Sequence, residues 1–204
     1  MTISILDYKM GNLSSVLRAL YKNNIESRVI NSYEEILNSD KIILPGVGHF
    51  EKAMNYLRSN DLDKALDKAI TDEKKPILGI CLGMQLMCQI SQEGESNGLC
   101  WFDASLTKIK AENKLKFKIP HIGWNKAERV KDSQLFKGIE PEAEFYFVHS
   151  YYVSATTENE VLCKTTFESE FISALAKDNI YGVQFHPEKS HEAGFKLLKN
   201  FAEL

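Results

Sequence analysis

Short apolar runs alternating with helical patterns fill the first ninety residues and leave few folds open to this chain. Ile3-Ser4-Ile5-Leu6 reads as a buried strand. Leu13, Val16, Leu17 and Leu20 then recur at helical spacing, with Asn12 or Ser14 as the N-cap. Ser27 to Ile30 predicts a second strand. Lys41-Ile42-Ile43-Leu44 predicts a third, stopped by Pro45-Gly46. Phe50, Ala53, Met54 and Leu57 mark another helix, and Leu62, Ala65, Leu66, Ala69 and Ile70 one more. Pro76 to Ile80 predicts a fourth strand, and the stretch after Gly83 turns helical. Strands alternating with helices imply βαβ units and a parallel sheet.

The second half changes character. Between Leu99 and Phe185 the segments are mostly strand-like, with turn signals between them. Phe145 to Val153 reads as one long aromatic and β-branched run. Phe171 to Ala176 and Ile180 to Phe185 flank Lys177-Asp178-Asn179, a hairpin signal. Phe195, Leu197, Leu198 and Phe201 close the chain as an amphipathic helix. The fold expected for residues 1–204 is a single α/β domain. Its open, mostly parallel sheet is flanked by helices and gains antiparallel strands in the C-terminal half. Such sheets carry their sites in loops at the carboxyl ends of strands.

Composition removes several function classes. The 25 basic residues against 28 acidic ones give a net charge of −3, which offers no electrostatic footprint for nucleic acid or an anionic membrane surface. No apolar run approaches the roughly 18 residues of a membrane span. Met1-Thr2-Ile3-Ser4-Ile5-Leu6-Asp7 lacks the basic start of a signal peptide. Cys81, Cys88, Cys100 and Cys163 form no C-x-x-C pair, so no metal site is expected, and scattered thiols suit a cytoplasmic, reducing setting.

Three stretches could carry chemistry. Gly79-Ile80-Cys81-Leu82-Gly83 follows a strand and opens a helix, the pattern of a nucleophile elbow with Cys in the nucleophile's place. The helix N-terminus there favours thiolate over thiol. A buried structural Cys is the competing reading. In Gly182-Val183-Gln184-Phe185-His186-Pro187-Glu188, His186 ends an apolar strand and Glu188 lies two residues on. A thiol nucleophile needs a base, and the base needs an orienting acceptor. A surface His beside a surface Glu is the competing reading. His49, His121, His149 and His191 are rival bases; His149 lies within the aromatic run and His191 at a solvated helix start. Leu44-Pro45-Gly46-Val47-Gly48-His49-Phe50 again follows a strand, and its glycines allow backbone N–H groups to turn toward an oxyanion. A plain strand-to-helix turn is the competing reading; no Lys-Ser/Thr follows to make a phosphate loop.

Taken together, Gly79-Ile80-Cys81-Leu82-Gly83-Met84-Gln85, Pro45-Gly46-Val47-Gly48 and Phe185-His186-Pro187-Glu188-Lys189-Ser190 resemble the class I, triad-type glutamine amidotransferases. Asp7-Tyr8-x-x-Gly11-Asn12-Leu13, Pro120-His121-x-Gly123-Trp124-Asn125 and Tyr146-Phe147-Val148-His149-Ser150-Tyr151-Tyr152 narrow the likeness to the glutaminase subunits of imidazole glycerol phosphate synthases. It runs from Ile3 to Phe201. The resemblance implies hydrolysis of glutamine by a triad of Cys81, His186 and Glu188, with an oxyanion hole drawn from Leu82 and from Gly46 and Val47. It implies that Gly48, Gln85, Glu93, Ser150 and Tyr151 hold glutamine, that no cofactor or metal is used, and that a (β/α)8-barrel cyclase subunit receives the ammonia. Asn12, Trp124, Tyr146 and Lys189 match the family's partner-facing positions, as a heterodimer requires. Glycine-flanked peptides rotate at low steric cost, so the oxyanion donor of the 45–48 loop is expected to point away in the resting subunit.

There are departures. Lys9 stands where the family has Gly. Trp101-Phe102-Asp103-Ala104 and His191 resemble paralogues that supply ammonia for amidino groups on surface sugars. Histidine biosynthesis and saccharide amidation are therefore the two acceptor pathways the sequence leaves open. A peptidase or chaperone-like relative would place His directly after the nucleophile, where this chain has Leu82. A non-catalytic regulatory subunit would have lost one of the three triad residues, and none is lost.

Overall fold

A computed structural model describes residues 2–113 and 116–204. The N-terminal half alternates as the sequence predicts: β1 (Ile3–Leu6), α1 (Leu13–Lys22), β2 (Ser27–Ile30), α2 (Tyr33–Leu37), β3 (Lys41–Leu44), α3 (Phe50–Ser59), α4 (Leu62–Asp67), β4 (Ile77–Ile80) and α5 (Leu82–Leu86). Of the two N-cap candidates, Asn12 is the one used; its side chain accepts from the Ser15 N–H at 3.3 Å. The helix α2 was not expected. Its signal was in the sequence all the same: Ser32 and Glu35 form a reciprocal capping box.

The later strands are β5 (Ile90–Ser91), β6 (Ser96–Asn97), β7 (Ser105–Lys108), β8 (His121–Lys126), β9 (Glu128–Arg129), β10 (Glu144–His149), β11 (Tyr151–Ala155), β12 (Val161–Thr166), β13 (Glu170–Lys177) and β14 (Ile180–Val183), before α6 (His191–Glu203). The main sheet runs β2-β1-β3-β4-β14-β13-β11-β7-β5-β6. Its first five strands are parallel. From β14 to β13 to β11 to β7 the pairing is antiparallel. The predicted fold class is what the chain adopts.

One expectation is corrected. Phe145 to Val153 is not one strand. It divides at Ser150 into β10, which pairs with β8 in a separate two-stranded ribbon, and β11, which joins the main sheet. Every second residue of β10 (Phe145, Phe147, His149) is buried, so its alternation is that of a half-covered ribbon. Ser150 sits at the bend, and its carbonyl accepts from the Ile109 N–H at 2.9 Å.

β1, β3 and β4 are buried at every position, as central parallel strands are. Alternate residues feed two cores. Leu6, Ile42, Leu44 and Ile77 pack with α2 to α5 on one face, and Ile3, Ile5, Ile43, Leu78 and Ile80 with α1, α6 and the β8–β10 ribbon on the other. Buried Lys41 is accommodated because its ammonium donates to the Ala202 carbonyl at 2.6 Å and the Phe201 carbonyl at 3.3 Å, at the negative end of α6. No helix among the described residues is long and apolar enough to cross a membrane.

Candidate active site

β4 and β14 lie side by side, in register from Ile77 opposite Ile180 to Ile80 opposite Val183. Their carboxyl ends deliver the two motifs to one place. Cys81 follows β4 directly and caps α5, with φ 53° and ψ −108°. A non-glycine residue in that region stores strain that the surroundings must hold. They do so by closeness: a Cβ on Gly83 would lie 1.7 Å from the Leu44 carbonyl oxygen, and one on Gly79 would lie 2.7 Å from the Met84 nitrogen. Both flanking positions must be glycine for α5 to seat there. The helix is only five residues long, so its dipole is a smaller influence on Cys81 than the sequence motif suggests.

His186 arrives three residues after β14, and its N–H is tied to the Tyr146 carbonyl at 2.8 Å. Its Nδ1 lies 2.7 Å from Glu188 Oε1, with both side chains almost wholly buried at 2% and 3% exposure. Facing a carboxylate, Nδ1 carries the proton, which leaves Nε2 as the basic nitrogen. Nε2 is buried and has no standard hydrogen bond among the described residues. Burial lowers the pKa of this imidazole, but the charge and hydrogen bond of Cys81, with the same two effects from Glu188, outweigh it and raise the ring to about 10. The ring thus keeps its proton through neutral pH beside the sulfur. Two of the rival bases, His121 and His149, are otherwise engaged. His121 Nδ1 meets His149 Nε2 at 3.0 Å, and His149 Nδ1 meets the Tyr151 carbonyl at 2.8 Å. Burial holds both neutral, His121 at about 4 and His149 at about 3.

Beside Cys81 is a cleft of about 200 Å³. Val47, Gly48, Leu82, Gln85, Glu93, Ser150 and Tyr151 line it with Cys81, as expected. Pro120 and Val148 were not expected there, while His149, in the aromatic run, forms part of the wall. Gly46, His186 and Glu188 do not line it, and His186 is buried. Two expected roles meet prior engagements. The Leu82 N–H donates to the Gly46 carbonyl at 3.3 Å, so the two halves of the oxyanion hole are bonded to each other. Glu93 Oε2 accepts from the Phe50 N–H at 2.7 Å and so caps the start of α3. In the same loop, Gly48 has φ 137°, which a side chain would resist.

The expected partner-facing residues gather at the rim, apart from Asn12, which caps α1. Trp124 is 43% exposed and pairs across the ribbon with Tyr146. Its ring stacks on His191 at 4.7 Å and 3°, and Lys189 Nζ lies 5.6 Å from the Tyr146 ring centre. His191 is exposed at the start of α6, as read, but its part in this cluster was not foreseen. Gln184 was missed altogether. It is fully buried, and its Nε2 lies 3.6 Å from Cys81 Sγ. Its signal was a lone amide in the apolar run Val183-Gln184-Phe185.

The class-I glutamine amidotransferase family model matches residues 4–204. Imidazole glycerol phosphate synthase subunit HisH 2 of Methanococcus maripaludis is 46% identical over 199 residues, 98% of each chain. Its namesake from Pseudomonas aeruginosa is 39% identical over 202 residues, 99% of each chain. Subunit HisH 1 of Campylobacter jejuni strain 81-176 is 43% identical over 203 residues, covering 99% of this chain and 100% of that one. Among solved structures, one described as a glutamine amidotransferase superposes with a TM-score of 0.77 at 16% identity, covering 98% of this chain and 97% of that one.

Proposed function

The chain belongs to the class-I glutamine amidotransferase family, and from that premise we infer that it hydrolyses glutamine to glutamate and delivers the ammonia to a synthase partner in histidine biosynthesis. The full-length relatives named as imidazole glycerol phosphate synthase subunits favour this pathway over saccharide amidation. The reading takes residues 1–204 as one amidotransferase domain working in the cytoplasm.

The observation that carries the chemistry is the buried 2.7 Å His186–Glu188 bond set against an elbow cysteine. Cys81 attacks the side-chain carboxamide carbon of glutamine. His186 holds the thiol proton and passes it to the departing amine, so that ammonia leaves and a thioester remains. Glu188 keeps the imidazole in its Nδ1–H form and stabilises its cation. Water, activated by His186 through Nε2, then cleaves the thioester to glutamate. The oxyanion of each tetrahedral intermediate needs the Leu82 N–H and one from Gly46–Val47, each such donor worth about 3 kcal/mol. Gly48, Gln85, Glu93, Ser150 and Tyr151 hold the rest of the substrate in this reading, which their lining of the cleft supports.

Ammonia released into bulk water would be protonated and lost. A partner therefore docks over the cleft, and the cluster of exposed Trp124 with half-buried Tyr146 and Lys189 beside the His186 strand end suits that role, with Asn12 beyond it. The partner proposed is a (β/α)8-barrel cyclase subunit. The test is Cys81→Ala, assayed for glutamate release with the cyclase present. Loss of turnover of at least roughly a thousandfold with partner binding intact is expected. Retained hydrolysis would remove Cys81 from its role.

A further inference from the structure

The mechanism leaves one buried side chain on the nucleophile without a role. We propose that Gln184 is a further catalytic residue, whose side-chain N–H stabilises the Cys81 thiolate, and that Gln85 is the positioning residue that aims it. The proposal rests on Cys81 being the nucleophile.

The direction of the Gln184 amide follows from its neighbours. The Tyr151 carbonyl can only accept, and it receives two donors: His149 Nδ1–H at 2.8 Å and a terminal atom of Gln85 at 3.0 Å. That Gln85 atom must therefore be Nε2. Its second hydrogen points to a terminal atom of Gln184, also at 3.0 Å, which must then be Oε1. The remaining end of the Gln184 amide is an NH2 group, and it lies 3.6 Å from Cys81 Sγ. Reversing Gln85 would set its oxygen against the Tyr151 and Gln184 oxygens, and reversing Gln184 would set one NH2 group against another, in a buried site, at a cost the fold has no reason to bear.

This chain of donors bears on which form of the sulfur is favoured. The thiol form donates weakly to the Val148 carbonyl, 3.8 Å away. The thiolate cannot use that carbonyl but accepts the Gln184 N–H, and a hydrogen bond to a charged acceptor is the stronger kind. The amide thus opposes the Val148 carbonyl and works with the His186 cation. Gln85 loses the use of its own NH2 group to this arrangement, so it can offer the cleft only Oε1. The titratable groups around the sulfur are His186 and Glu188 after β14, Tyr8 after β1 and His149 at the end of β10. None is altered by a change at residue 184.

Two variants separate donor from volume. Gln184→Met keeps the bulk and removes the donor. Gln184→Glu keeps the bulk and the bond from Gln85 but turns an acceptor toward the sulfur. Iodoacetamide labelling is followed against pH by mass spectrometry of the Cys81 peptide, because exposed Cys100 also reacts. The pH of half-maximal labelling is expected to move up by about one unit in Gln184→Met and further in Gln184→Glu. Glutamine turnover with the cyclase present is expected to fall about tenfold in kcat, with KM changing less. Unchanged labelling profiles in both variants would overturn the proposal, whatever happens to the melting temperature. If neither variant folds, the unmodified protein decides by NMR. The Gln184 side-chain amide protons shift when Cys81 is alkylated if the bond exists, and stay in place if it does not. Labelling needs no glutamine, so a failure of the glutaminase reading, seen as an active Cys81→Ala, is told apart from a failure here.

Discussion

The triad and the loop that faces it are built to opposite standards. Cys81, His186 and Glu188 are held by adjacent central strands, buried, and bonded to each other or to the backbone. Val47 and Gly48, across the cleft, are exposed, and Gly48 has a backbone conformation suited to glycine. The nucleophile and base are finished in the isolated chain. The oxyanion hole is not, since the Gly46 carbonyl occupies the Leu82 donor. A partner that only has to re-aim one exposed loop can then control a preassembled centre.

Variants on the rigid side should give the largest effects and should divide by role. His186→Asn removes the group that moves protons and is expected to lower glutamine turnover by at least roughly a thousandfold. Glu188→Gln leaves the imidazole in place with a weaker partner, and a smaller loss is expected, with measurable turnover retained. Steady-state glutamate release with the cyclase bound measures both. Equal losses would mean that Glu188 does more than orient the ring.

The loop side predicts a smaller and conditional effect. The subunit alone is expected to run about a hundred- to a thousandfold below its rate with partner and acceptor ligand, the usual cost of one missing oxyanion donor. Ammonia release measured in the three states checks this. Full activity in the subunit alone would mean that the Leu82–Gly46 bond opens unaided, and the contrast between the two regions would collapse.

The rim connects the two. Trp124→Ala should weaken cyclase binding by roughly thirtyfold, the loss of one aromatic anchor, while saturating cyclase restores most of the turnover. Calorimetric titration gives the binding term. A loss of turnover at saturation would place Trp124 in the activating path and not only in the contact.

How much of this was legible depended on range in sequence. The parallel half was legible because β1, β3 and β4 are local runs separated by helical spacing. The elbow was legible because Gly79 and Gly83 flank Cys81 within five residues. The break at Ser150 was not: nothing in Phe145 to Val153 says that β10 pairs with β8 and β11 with β7 and β13, which are choices made by distant partners. Gln184 was hidden for the same reason. Its bonds reach Cys81 and Gln85, about a hundred residues away, and only the β4–β14 pairing brings them together. The engagement of Leu82 with Gly46 is likewise a contact between segments that lie apart in the sequence.

The smallest effect expected lies beneath the rigid side. His121 and His149 are buried neutral, with pKa values of about 4 and about 3 against an unperturbed 6.5. Below pH 6.5 the unfolded chain therefore takes up protons that the folded one refuses. The stability tied to this pair is fully present above 6.5 and is lost as the pH falls toward 4 and 3. His121 stacks on Phe167 at 4.1 Å and on Phe147 at 5.1 Å, so His121→Phe keeps the aromatic slot filled while removing one titrating ring. Urea unfolding across that acidic range should give a shallower fall of stability with pH in the variant, by about one proton's worth of slope. The variant should also be less stable at neutral pH, because His149 Nε2 loses its donor, a cost of about 1–3 kcal/mol. An unchanged slope would mean that water reaches the pair and charges it in the folded state, and the buried side of the site would be less rigid than its hydrogen bonds imply.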